Sequence, residues 1–147
     1  MAILILSLNQ SESVTNLEQL VTLAGEVFED IEPAYVEWRI KSMPDVTTFV
    51  AEESGQWLGF KCGYAMTRRC YYSWLGGVDP RQRRSGIAGT LMQAQHEWVR
   101  DSGYEIVETH VRQDNLAMVQ TNLKFGFKIV GRFLKSDQVN LILQRKV

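Results

Sequence analysis

Residues Val78–Gln95 read VDPRQRRSGIAGTLMQAQ. They place Arg81, Arg83 and Arg84 just ahead of Gly86 and Gly89, and an apolar helical pattern follows without a break. The first turn of a helix carries unpaired N–H groups and a partial positive charge. Only Ser85 offers an ordinary side-chain cap here. Small residues at 86, 88 and 89 leave the main chain open, so oxygens of an anion can reach the amides directly. The arginines would add steering charge and clamps. Phosphate binding is the chemistry this pattern suits, and a solvated arginine loop with glycines easing a tight turn is the alternative. No G-x-x-x-x-G-K-[ST] run occurs, and Gly76, Gly77 and Gly86 lack the G-x-G-x-x-G spacing of a dinucleotide fingerprint.

A second set of reactive types lies downstream. Glu108 and His110 share one face of a strand pattern, and histidine titrates near neutrality. On the helix that starts at Asn115, about 100° per residue puts Leu116, Val119 and Leu123 on one stripe, the expected core face. Asn115, Met118 and Asn122 fall on the neighbouring flank. Asn115 suits a helix cap, whereas a mid-helix Asn122 is a mediocre helix former. Upstream, residues 26–38 hold Glu26, Glu29, Asp30, Glu32 and Glu37 with no Lys or Arg, interleaved with Tyr35 and Trp38. Such a rim would attract a cationic amine by Coulomb steering and cation–π contact; a solvated helix face is the plainer reading of the same residues. His96 lies opposite the apolar stripe of its helix and is expected in solvent. Asp79, before Pro80, shapes a turn.

The elements that must position these groups follow from periodicity. AILILSL reads as a strand. TNLEQLVTLAGEVF is an amphipathic helix with Thr15 and Glu18 as a capping box. Pro33 opens a second short helix and Pro44 lies past its end. TTFVAEE, GQWLGFKCGYAM and CYYSWLGGV form an antiparallel meander. A helix over about 86–101 ends at Gly103, then come a strand, a helix and two closing strands. The order is β-α-α-β-β-β-α-β-α-β-β, an α/β (α+β) domain with one mixed, mostly antiparallel sheet of about seven strands and about four helices.

The 147 residues make one domain, with 45% hydrophobic and 22% charged residues. A net charge of -1 gives nucleic acid no overall attraction. Cys62 and Cys70 have no metal-ligand spacing and read as reduced thiols. The N-terminal apolar run is too short for a signal peptide and no run reaches membrane-span length, so cytoplasm is the expected location and no membrane partner is expected.

The stretch LGGVDPRQRRSGIAGTLMQ resembles the acetyl-CoA signature of the GNAT superfamily of N-acetyltransferases, with Arg83–Ala88 matching [QR]-x-x-G-x-[GA]. Asn115, Met118, Asn122, Gly126 and Phe127 resemble a variant of its second coenzyme segment, and the element order is also the family's. The resemblance implies acetyl-CoA as co-substrate and no metal. It places the diphosphate on Arg83, Arg84, Ser85, Gly86, Ile87 and Ala88. The pantetheine arm would pair with the backbone of Gly77 and Val78, near the flank of Asn115 and Asn122. One amide there would hold the developing oxyanion.

Two departures accompany the resemblance. Many members carry a Tyr where Asn122 stands and a Glu near Tyr72. The remaining candidates for proton transfer are His110 and Glu108, beside the place where the fourth and fifth strands would part, with Asn122 and Tyr72 at the family's positions. Glu29, Asp30, Tyr35 and Trp38 are the candidate acceptor contacts. The resulting expectation is acetyl transfer from acetyl-CoA to a primary amine, small molecule or peptide, by direct attack on the thioester. A non-catalytic acyl-CoA sensor and an acyltransferase with another acyl group are the alternatives. Exposed strand edges make a homodimer possible.

Overall fold

The computed structural model describes residues 2–83 and 86–147. The strands are β1 (Leu4–Leu8), β2 (Thr47–Glu53), β3 (Gln56–Ala65), β4 (Cys70–Val78), β5 (Ile106–Arg112), β6 (Lys128–Lys135) and β7 (Gln138–Lys146). The helices are α1 (Gln10–Thr15), α2 (Leu17–Val27), α3 (Pro33–Ser42), α4 (Ile87–Asp101) and α5 (Leu116–Lys124). One seven-stranded sheet runs in the order β1-β2-β3-β4-β5-β7-β6. All neighbours are antiparallel except β4 and β5. This is the mixed sheet that the patterning predicts.

The N-terminal helical region is divided differently from the expectation. Asn9, not Thr15, makes the capping box, accepting from the Glu12 amide while Glu12 accepts from the Asn9 amide. Thr15 instead donates to the Ser11 carbonyl, and α2 follows after Asn16 with no side-chain cap. The extra turn brings the α-helices among the described residues to five. Its buried Ser13 hydroxyl meets Thr48 Oγ1 on β2 at 2.9 Å, which pins α1 to the sheet.

The core fills both faces. On one, α2 and α3 bury Leu20, Leu23, Ala24, Val36 and Ile40 against Val50, Phe60 and Cys62. On the other, α4 packs Ile87, Leu91, Met92 and Val99 against Phe49, Ala51, Tyr71 and Val107. Burial of this apolar surface is the main favourable term in folding. Cys62 and Cys70 are free buried thiols, and burial pushes Cys62 up to about 12.

Two helix faces differ from their sequence readings. His96 is buried, not solvated: α4 is covered by the sheet on one side and by Phe127 and Arg145 on another, so its buried face is wider than one stripe. On α5 the buried residues are Val119 and Asn122, while Leu116 is 66% and Leu123 44% exposed. The helix turns Val119 and Asn122 inward and leaves both leucines of its predicted core stripe, and Asn115 and Met118 of the flank, exposed.

Candidate active site

β4 and β5 are paired only at Cys70–Ile106, Tyr71–Val107 and Tyr72–Glu108. A bulge sits at the branch point. Cys62 pairs with Leu75 and Gly63 with Ser73, so Trp74 is an extra residue in β4. A bulge bends its strand and increases local twist. One last link, Thr109 Oγ1 donating to the Ser73 carbonyl at 3.1 Å, precedes the parting. The outer half of β4 therefore has no strand partner on its β5 side, and its backbone groups there are open to an extended ligand.

The notch so formed is a cleft of about 260 Å³ whose walls include Ser73–Gly76 of β4, His110 and Arg112 of β5, Asn115, Met118 and Asn122 of α5, and Lys61 and Phe28. A narrower apolar extension of about 100 Å³ continues past Gly77, Val78, Ala88 and Gly89. It leads from the notch to the start of α4. The small residue at 89 matters there, since a Cβ would come within 3.1 Å of the Phe125 ring. A larger depression of about 620 Å³ lies beyond Phe125, between α4, α5 and the end of β7, away from the parted strands.

At the extension's far end, Gly86 occupies the N-cap of α4 with φ 66° and offers no side chain to its amides. Left-handed backbone of this kind favours glycine. Ile87 is buried in the core and can contribute only its main chain, whereas Ala88 is exposed. Arg84 and Ser85 lie outside the described residues. Arg83 folds back, its Nε donating to the Val78 carbonyl at 3.2 Å. Arg81 is committed to Asp79, with Nη2–Oδ2 at 2.7 Å, and that contact holds the Asp79 carboxyl below its usual range. Asp79 also accepts from the Arg81 amide, which fixes the turn.

The other predicted residues divide into two groups. His110 Nε2 lies 2.9 Å from Glu108 Oε2, and Gln144 donates to Glu108 Oε1 at 2.8 Å. Tyr72 and Phe133 flank the imidazole, with ring centroids 4.7 and 5.0 Å away. With Glu108 as a carboxylate, Nε2 of a neutral His110 is the donor, which leaves Nδ1 as an acceptor. Tyr72 is pushed further from ionisation, by burial first and then by Tyr64, so it cannot serve as a base near neutrality. Asn115 caps α5, accepting from the Met118 amide at 3.3 Å, and still lines the cleft. Asn122 is buried, and its amide nitrogen donates to the Met118 carbonyl at 2.9 Å.

The second group borders the notch without lining it. Tyr35 and Trp38 stack on the exposed side of α3, centroids 6.3 Å apart. The aromatic surface already holds a cation of the protein itself: the Arg39 guanidinium lies over Tyr35, Tyr64 and Trp74 at 5.0, 5.5 and 5.3 Å. Glu37 pairs with Lys41 at 2.7 Å. Glu29 and Asp30 are exposed and follow directly on Phe28, a wall of the cleft.

The sequence reading missed Lys61, Met92, Thr109 and Arg112 as cleft residues. A lysine inside the apolar run GFKCG was the available signal for the first, since strand interiors bury such a charge only at a cost.

Comparison with known proteins places this geometry. The chain matches the model of the acetyltransferase (GNAT) family over residues 15–127. A search of curated proteins gives no match. Solved structures match closely in fold. Ard1 from Thermoplasma volcanium aligns with TM-score 0.82 and 22% identity, over 100% of this chain and 99% of that one. The ribosomal-protein-S18-alanine N-acetyltransferase of Escherichia coli aligns with TM-score 0.83 and 16% identity, over 99% and 94%. The PaiA N-acetyltransferase of Thermoplasma acidophilum, solved with coenzyme A, aligns with TM-score 0.75 and 18% identity, over all of both chains. With the family model spanning most of its length and the parted β4–β5 pair at its centre, this chain belongs to the GNAT acetyltransferase family.

Proposed function

We propose that the protein transfers an acetyl group from acetyl-CoA to a primary amine by direct attack of the amine on the thioester. The observation that carries this reading is the continuous path from the uncapped start of α4, along the unpaired outer half of β4, to His110 in the notch. A diphosphate suits the amides at Gly86, Ile87 and Ala88, with Arg83 beside them and Arg84 and Ser85 assigned from the sequence alone. The free edge at Gly77 and Val78 suits an amide-bearing pantetheine arm, and the apolar walls exclude water from it. The coenzyme named in the PaiA neighbour's structure is of this chemistry.

In this reading His110 Nδ1 takes the proton of the attacking amine, and Glu108, itself held by Gln144, keeps the ring in that tautomer. Glu108 is a positioning residue. Tyr72 packs against the ring and moves no proton, and Asn122 lines the passage. A fixed backbone donor on the free edge of β4, at Gly77 or Val78, stabilises the oxyanion more than the ground-state carbonyl. The acceptor enters from the α2–α3 connection, where Glu29 and Asp30 attract a cationic amine, with Tyr35 and Trp38 as the outer contacts.

The test is thiol release from acetyl-CoA against a panel of small amines and peptide N-termini. Amine-dependent release that falls by about 10²-fold or more in His110→Ala supports the reading. Tight coenzyme binding with no release for any amine would instead favour a sensor module. Release only with longer acyl-CoA donors would reassign the acyl group.

A further inference from the structure

Lys61 has no role in the scheme so far, yet its position is unusual. It lies in the middle of β3, opposite Phe49 on β2 and Gly76 on β4. Its side chain faces α4, because Cβ atoms built at Gly59 and Gly63, two residues to either side, would meet Leu91 and Gln95 of that helix. A Cβ at Gly76 would sit 3.3 Å from Lys61 Cγ. Glycine at 76 thus leaves β4 bare where the lysine crosses it. The side chain lines both the notch and its narrow extension.

Among the described residues no hydrogen bond or ion pair to the Lys61 ammonium is present. The ionisable groups around it supply no negative partner. His96 from α4 is held neutral, down to about 3, by burial first and then by Lys61 and Arg145. His110 bonds to Glu108, and Arg112 is paired with Asp114. Burial lowers Lys61 itself to about 8, so the ammonium is a better acid than an ordinary lysine. Meanwhile the amide nitrogen of Asn122, across the same cleft, is spent on Met118, and a carboxamide is no proton donor to a thiolate at neutral pH.

Resting on the acetyl-transfer reading above, we propose that Lys61 is the proton donor to the departing sulfur, acting from the α4 side of the sheet while His110 acts from the other. The amine nitrogen bonds to the carbonyl carbon and gives its proton to His110. The C–S bond breaks with its electron pair going to sulfur. The sulfur takes a proton from Lys61 Nζ, and the neutral amine left behind is reprotonated by solvent. The same ammonium, held against the sulfur of free coenzyme A, stabilises its thiolate.

The experiment is a far-ultraviolet thiolate titration of coenzyme A bound to wild type, Lys61→Met and Lys61→Arg, with calorimetry for affinity. The bound thiol should ionise about one unit or more lower in wild type and Lys61→Arg than in Lys61→Met, with affinity within about threefold, as the contact is to the sulfur and not the diphosphate. In wild type alone, ¹³C-methylated Lys61 should titrate higher with coenzyme A than with desulfo-coenzyme A, a readout independent of any substitution. Binding with identical thiol titrations, or with no difference between coenzyme A and its desulfo analogue, overturns the Lys61 assignment alone. Absence of any coenzyme binding to wild type overturns the acetyl-transfer reading as well.

Discussion

Lys61 and Glu108 show how one side chain is set by what surrounds it. Glu108 is 8% exposed and is satisfied by two neighbours, His110 and Gln144, so its carboxyl group is fixed in place. Replacing it by Gln should keep the fold but loosen the imidazole. We expect kcat for amine acetylation to fall by about tenfold with KM nearly unchanged, and less than in His110→Ala; equal losses would make Glu108 itself a base. Lys61 is the opposite case, a part-buried cation with no hydrogen-bond or ion-pair partner among the described residues. Its folded-state pKa of about 8 lies below the ordinary 10.5. Between those values the unfolded chain binds the extra proton, so the penalty on stability is full below pH 8 and is relieved as pH rises towards 10.5. Lys61→Met should therefore stabilise the fold at pH 7, by up to about 3 kcal/mol, and the gain should vanish in alkali. Chemical denaturation across that range measures it, and a pH-independent difference would contradict the charge-burial account.

Elements are where local patterning was legible and where it failed. Strand alternation, the Pro33 start, the Gly103 stop and the β2–β3–β4 meander all follow from residues close in sequence, and all appear in the structure. The uncapped start of α4 was also readable, because glycine at 86 is a local necessity of its φ of 66°. The rotation of α5 was not. Whether Leu116 or Asn122 faces inward depends on what the notch leaves for α5 to cover, and that is tertiary. The bulge at Trp74 likewise arises from register between two strands, not from composition. Two glycines separate backbone need from space. Gly86→Ala meets nothing within 4 Å but must hold a positive φ, so it should cost about 1 kcal/mol. Gly77→Ala keeps an ordinary backbone, yet its Cβ falls 2.4 Å from Val27 Cγ1 on α2. It should cost about 1–3 kcal/mol by overpacking. Urea melts of the pair rank the two effects, and a harmless Gly77→Ala would contradict the close α2–β4 approach.

Across the whole molecule, the sheet is continuous except where β4 and β5 part, and the helices on its two faces meet the notch from opposite sides. One consequence is that α4 must be enclosed on its α5 side too, which buries His96 beside Phe127 and Arg145. Its folded-state pKa of about 3 lies below the ordinary 6.5. The unfolded state therefore binds the proton first, and stability is lost as pH falls from about 6.5 towards 3. The acid limb should amount to several kcal/mol at about 1.4 kcal/mol per unit, and His96→Gln should flatten it. A second consequence is that the narrow extension towards α4 and the Phe28 side of the notch are separate approaches to the parted strands, as the proposed direct transfer between two bound substrates requires.

The most direct test of this account is isothermal calorimetry of coenzyme A with wild type and with Gly86→Val, which places a branched side chain at the α4 start. One-site binding to wild type, weakened by about tenfold or more in a Gly86→Val protein that still folds, is the predicted result. No measurable binding to wild type, or equal affinity in both proteins, would contradict it.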